Sequence, residues 1–284
     1  MQTILNILQD TAIDTIKLIP FLFITYLIME YIEHKTSNKL RETIKKSGKF
    51  GPLLGAVVGI FPQCGFSVSA TNLYAGKVIT IGTLIAVYLT TSDEMLPILL
   101  TESVPISTIL TILGIKLLIG IIAGFLVDIV FNIIKKDKDE EQQIEELCEH
   151  EHCHCDEGIV PSALKHTINI TIFIFIITLI LNSIITCIGE ETIAHFISKN
   201  VILGPVIAGL IGLIPNCASS VIITELFIEK VISMPILISG VAVNAGVGLL
   251  VLFKTNKNIK ENMSIVGLLY LIGVLAGIIL ELFL

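Results

Sequence analysis

Long, uninterrupted apolar stretches govern what this chain can fold into. Runs at 11–33, 106–131, 164–187 and 264–284 are each long enough, as helix, to cross the roughly 30 Å hydrocarbon core of a bilayer. With 54% of its 284 residues hydrophobic, the chain carries more apolar surface than a soluble domain can hide. The runs do not alternate as the ten-residue strands of an outer-membrane barrel do. These features predict an all-α polytopic membrane protein, multi-pass in the cell (inner or plasma) membrane. The N-terminal stretch MQTILNILQDTAIDTIK places Asp10 and Asp14 before the first long run. It has no basic n-region and no small-residue cleavage signature, so it does not read as a cleavable signal peptide.

Charge says little about partners. The formal net charge is −7, and ten of the 25 acids crowd into 133–158. No basic stripe suggests nucleic acid. Three of the six cysteines lie in apolar segments and three in one hydrophilic loop, which is not a secreted disulfide framework.

An internal repeat organises the chain. Shifted by 153 residues, 51–131 aligns with 204–284 without a gap, and GPLLGAVVGIFPQCGFSVSATNL lies over GPVIAGLIGLIPNCASSVIITEL. Sixteen of the first fifty positions are identical, among them Pro62/Pro215, Cys64/Cys217, Ser67/Ser220, Thr71/Thr224 and Lys77/Lys230. The reading divides the chain into a first membrane repeat (1–132), an acidic His/Cys-rich linker (133–162) and a second repeat (163–284).

Basic residues in short loops set the orientation. Segment 35–49 holds Lys35, Lys39, Arg41, Lys45, Lys46 and Lys49, which predicts a cytoplasmic loop. Its counterpart 189–203 carries Glu190, Glu191 and only Lys199, and is expected outside. Segment 101–107, with Glu102, is expected outside; its counterpart, with Lys254, Lys257 and Lys260, inside. The linker opens with Lys135, Lys136 and Lys138 and is expected inside. Corresponding loops thus take opposite sides: the two repeats are expected to be inverted, as in many secondary transporters, with both termini outside. An odd number of crossings must then join residue 50 to residue 101, yet two apolar stretches lie between. The favoured reading makes 51–76 two half-helices that meet at Pro62-Gln63-Cys64 near the midplane, followed by a crossing at 78–100. The alternative is a crossing at 51–74 with a re-entrant turn at TTSDE. Ten spans result when half-helices are counted and six when only true crossings are.

Irregular backbone at membrane depth is tolerated where it is buried in protein or lines a wet cavity. Pro62 cannot donate a hydrogen bond and frees a carbonyl one turn back. That carbonyl, the Gln63 amide and the Cys64 sulfur are potential ion ligands, and Pro215, Asn216 and Cys217 repeat them. The bland reading of either motif alone is a proline kink with a buried cysteine; recurrence at the same repeat position argues for a site. The second cluster is TTSDEM, where Asp93 and Glu94 lie within 78–100 beside Thr91. A carboxylate at the bilayer centre costs about 2.5–3.5 kcal/mol and so faces a cavity or a partner. Both acids could instead lie near the outer surface. Thr91 aligns with Asn244 and Asp93 with Gly246, so the charge comes from one half and a neutral ligand from the other. Asn244 may equally be a packing residue, and Glu225, deep in its segment, is a weaker candidate. Asp128 and Glu281, near helix ends, are expected to reach water.

The linker sequence CEHEHCHCDE supplies Cys148, His150, His152, Cys153, His154 and Cys155. Thiols and imidazoles at this density chelate borderline and soft cations, and the spacing fits no fixed zinc-finger frame. A flexible metal trap on the cytoplasmic face is the reading.

The paired P-Q-C and P-N-C motifs, the downstream TTSDE and the His/Cys-rich loop resemble a prokaryotic family of ten-span heavy-metal exporters, whose members are also labelled arsenic efflux proteins or manganese transporters. A fainter likeness extends to organoarsenical efflux permeases. The resemblance covers nearly the whole chain and implies metal or metalloid export. With no P-loop for ATP, the expectation is a secondary-active exporter of a divalent cation such as Mn²⁺ or Zn²⁺, working by proton antiport. The alternatives are an arsenite or organoarsenical permease and a metal-gated channel or sensor. No catalytic spacing is present, so an enzyme is not expected. The partners are lipid and the transported ion, with no further cofactor and no nucleic acid; a homo-oligomer is compatible with this reading.

Overall fold

In a computed structural model the chain is described over residues 2–35, 48–134, 159–188 and 203–283. The loop ligands Cys148, His150, His152, Cys153, His154 and Cys155 lie outside the described residues. Every described element is helical, in this order: α1 (Gln2–Lys35), a 3₁₀ turn (Gly48–Phe50), α2 (Gly51–Gly59), α3 (Cys64–Ala75), α4 (Ile81–Thr90), α5 (Met95–Thr101), α6 (Ile106–Ile134), α7 (Ile159–Ile188), α8 (Leu203–Gly212), α9 (Cys217–Ile228), α10 (Met234–Val243), α11 (Gly248–Thr255) and α12 (Ile259–Phe283). Six segments are long and apolar enough to span: within α1, α4–α5, α6, α7, α10–α11 and α12. The chain is a polytopic membrane protein. The short helices α2, α3, α8 and α9 raise the count of helical stretches to ten when each is taken separately.

The 153-residue offset governs the elements as well as the letters. Helix α3 (64–75) reappears as α9 (217–228), α4 (81–90) as α10 (234–243), and α5 and α11 start at 95 and 248. Helix α3 ends in a Schellman turn: Val78 N–H reaches Leu73 O, Lys77 N–H reaches Tyr74 O, and Lys77 takes φ 57°. Helix α9 ends the same way at Lys230, with φ 61°.

The path of the chain after the 3₁₀ turn follows from the packing of α2. Small residues at Gly51, Gly55 and Gly59 let this helix lie directly on α4. A Cβ at Gly55 would sit 3.0 Å from the Thr83 carbonyl, and Gly51 and Gly59 face Thr83 and Thr90 in turn. Residue number rises together on both helices, so α2 and α4 run parallel. Between them α3 must bring the chain back to the level at which α2 began. Segment 51–75 is therefore a hairpin of two short helices, broken between Gly59 and Cys64. The crossing that follows differs from expectation in one respect: 81–101 is itself interrupted, at Thr91–Glu94. Hydroxyls make that break tolerable. Ser92 Oγ donates to Thr90 O, a carbonyl the break takes out of the helix ladder, while Thr90 Oγ1 and Thr91 Oγ1 add bonds to Ala86 O and Val87 O in the last turn of α4. In the second half the Asn244 amide oxygen accepts from Gly246 N–H at the break between α10 and α11.

The interrupted crossings are the inner ones. Their spans are 72% and 89% buried, against 38%, 33%, 28% and 28% for α1, α6, α7 and α12. Leu118, Ile122, Leu126, Ile129 and Ile133 make an exposed apolar stripe down α6, which is the side that meets lipid. The half-helices cross between halves: α3 packs on α11, and α9 packs on α5. Thr71 Oγ1 and Tyr88 OH share a 2.6 Å bond and both reach the Gly248 carbonyl, tying α3 and α4 to α11.

Asp128 and Glu281 do not simply reach water. Asp128 accepts from Thr80 Oγ1 at 2.7 Å and from Gly82 N–H at 2.8 Å, capping the start of α4. Glu281 accepts from Ser233 Oγ before α10. Asp128 thereby pairs a backbone N–H that the start of α4 would otherwise leave without a partner.

Candidate metal centre

Cys64 and Cys217 are each the first residue of a half-helix, released into that position by the Pro-amide pair before it. Gln63 and Asn216 are extended, with φ −158° and −149°, and each N-caps the helix that follows. The Asn216 side chain accepts from Ala218 N–H. Each cysteine therefore sits at the positive, N–H-bearing end of a helix. The packing brings these two ends together: Cys64 Sγ and Cys217 Sγ are 3.0 Å apart, and no disulfide joins them.

A third ligand completes the group. An Asp93 carboxylate oxygen and the two sulfurs all lie within 4.8 Å of one another. Asp93 is buried, and its Oδ1 has no hydrogen-bond partner. A cavity of about 30 Å³ opens beside the cluster. That is room for an ion with one or two waters. Pro62, Gln63, Cys64, Asp93, Glu94, Asn216 and Cys217 all line it, with Thr15, Lys17 and Thr178 from the flanking α1 and α7. Thr178 Oγ1 is a second buried oxygen without a partner. Two orphaned oxygens and two thiols in one cavity suit a cation.

The one-sidedness of the charge has a steric cause. Gly246, at the repeat position of Asp93, takes φ +54°, and a Cβ there would lie 2.8 Å from Asp93 Oδ2. The missing side chain of one half is the space occupied by the carboxylate of the other. Asn244 holds that loop: its Oδ1 accepts from Gly246 N–H at 2.7 Å, and its Nδ2 donates to Ser219 Oγ at 2.9 Å. These bonds occupy the Asn244 amide, which positions the loop and is not among the cavity-lining residues. Asn216 donates to Asn182 Oδ1 from the cavity wall, and Gln63 Nε2 reaches Lys17 O at 3.4 Å.

The remaining sequence candidates fall further out. Glu94 is half-buried at the mouth of α5 and lines the cavity. Thr91 is buried behind Asp93 and contributes its carbonyl elsewhere. Pro215 is half-buried at its break, outside the cavity lining. Glu225 is exposed on α9, two helical turns beyond Cys217, and does not join the cluster.

One residue escaped the sequence reading. Lys116, on α6, is fully buried; its Nζ donates to the Thr91 carbonyl and, at 3.1 Å, to the Val241 carbonyl. It also interacts electrostatically with Asp93. The signal was available: a single lysine interrupts the apolar run TILGIKLLIG, and an ionisable residue at membrane depth is a functional candidate by default.

A family described as "Putative, 10TM heavy-metal exporter" matches residues 2–189, about two thirds of the chain, including Cys64, Asp93 and Lys116. No curated protein and no solved structure matches.

Proposed function

The chain belongs to this ten-span heavy-metal exporter family, and from that premise we propose that it is a secondary-active exporter of a thiophilic divalent cation. Cys64, Cys217 and Asp93 bind the ion. The two sulfurs 3.0 Å apart with a carboxylate beside them, drawn from separate halves of the chain, are the observation that carries this reading. Two thiolates and one carboxylate suit Zn²⁺ or Cd²⁺ better than Mn²⁺, which prefers oxygen. Asp93 Oδ1, without a partner in the cavity, favours a cation over an arsenical, which two thiols alone would hold.

In this account the halves are inverted repeats, and alternating access rocks one against the other around the shared site. The exchange of α3 and α9 between halves supports it. Binding a divalent cation to thiols and a carboxyl displaces protons from the same atoms, so proton antiport needs no second site. The linker faces the cytoplasm, where Cys148 to Cys155 collect the ion, and both termini lie outside. Glu94, Gln63 and Asn216 border the path.

Cells expressing wild type, Cys64→Ala or Asp93→Asn test the reading by cadmium and zinc accumulation. Lower metal content with wild type than with empty vector, lost in both variants, is expected. Equal content in all four strains refutes it.

A further inference from the structure

Lys116 joins the two halves at their breaks. Thr91 is the C-terminal cap of α4, and Val241 lies in the last turn of α10, so the carbonyls that hold Lys116 belong to the ends of both interrupted crossings. Such carbonyl ends carry the negative pole of a helix and are natural seats for a cation. The repeat counterpart of Lys116 is Leu269, equally buried and apolar, so packing at this position does not require an amine. Burying an ammonium without functional need is costly.

Resting on the cation-binding reading above, we propose that Lys116 is a specificity-determining residue, a resident positive charge that sets the charge and holding strength of the transport site. Cys64, Cys217 and Asp93 offer three negative charges when a metal is bound, and Lys116 as an ammonium offsets one. Two remain, which match a divalent ion. The same ammonium repels the cargo through a low-dielectric interior and so keeps the site from trapping it. Lys116 does not touch the metal; it acts through the field it sets up at the cargo's position.

This sign separates an electrostatic role from a structural one. If Lys116 only staples α4 to α10, its loss loosens the site and weakens metal binding. If it is a resident cation, its loss tightens binding and slows release. The experiment uses the purified full chain with Cys148, His150, His152, Cys153, His154 and Cys155 replaced by alanine, and measures Cd²⁺ affinity by equilibrium dialysis. Lys116→Leu, the residue of the other repeat, is expected to bind Cd²⁺ at least tenfold more tightly and to release it more slowly. Because Lys116→Leu leaves Asp93 without its counter-charge, which puts folding at risk, Asp93→Asn is also compared with Asp93→Asn/Lys116→Leu. The double variant is expected to bind at least tenfold more tightly than Asp93→Asn alone. Equal or weaker binding on removal of Lys116, in whichever pair folds, overturns the inference and leaves the site standing. Cd²⁺ binding that is absent in the parent protein, or unchanged in Cys64→Ser/Cys217→Ser, removes the site itself and the inference with it.

Discussion

Gly246→Ala is the sharpest probe of how the two halves share one carboxylate. Two costs add. A non-glycine residue at φ +54° carries about 1–2 kcal/mol of backbone strain. Its methyl would also sit 2.8 Å from Asp93 Oδ2, closer than van der Waals contact, and overpacking of this kind costs about 1–3 kcal/mol. The total is about 2–5 kcal/mol, and the part that moves Asp93 falls on the metal site. Chemical unfolding and Cd²⁺ binding should therefore decline together, with affinity down at least tenfold. Moving the carboxylate across the interface offers a rescue. Asp93→Gly/Gly246→Asp places an acid, a residue type that tolerates left-handed backbone, in the space the first half vacates. That double variant should recover Cd²⁺ binding relative to Asp93→Gly. Wild-type stability and affinity in Gly246→Ala, with no recovery in the exchange, would show that the pairing of these positions has no bearing on the site.

Two further perturbations test the frame. Lys230→Gly relieves a left-handed non-glycine residue at an exposed helix end and should stabilise the protein by about 1 kcal/mol in a denaturant titration; destabilisation would mean that the side chain is needed there. Tyr88→Phe removes the hydroxyl that Thr71 and Gly248 O share and should cost about 1–2 kcal/mol, with Cd²⁺ affinity retained to within a few fold; an unchanged melting profile would contradict the proposed tie between halves.

Much of this architecture is legible in the letters. Uniform apolar runs leave little choice but membrane helices, and the gapless 153-residue repeat carries helix starts, Schellman turns and cysteine positions from one half to the other. Pro62 and Pro215 mark their breaks because proline removes a donor whatever its surroundings. The break at Thr91–Glu94 has no such residue. Its freed carbonyls are met by Ser92 Oγ at Thr90 O and by Lys116 at Thr91 O, and the second of these partners comes from packing. The alignment of Asp93 with Gly246 reads as asymmetry of charge; only the fold makes it a shared volume. Glu225, a weaker candidate for its depth in an apolar segment, is exposed on α9 and lines no part of the cavity. Lys116 went unnoticed since a lone lysine in a long apolar run has no partner nearby in sequence: Thr91 is 25 residues away and Val241 is 125.

X-ray absorption at the zinc edge tests the central claim most directly. The sample is the full chain loaded with one Zn²⁺, with the six ligands of the linker replaced by alanine. The account predicts two sulfur neighbours at about 2.3 Å with oxygen at about 2.0–2.2 Å, and loss of the sulfur shell in Cys64→Ser/Cys217→Ser. A shell of oxygen and nitrogen alone, unaltered by that double substitution, would contradict it.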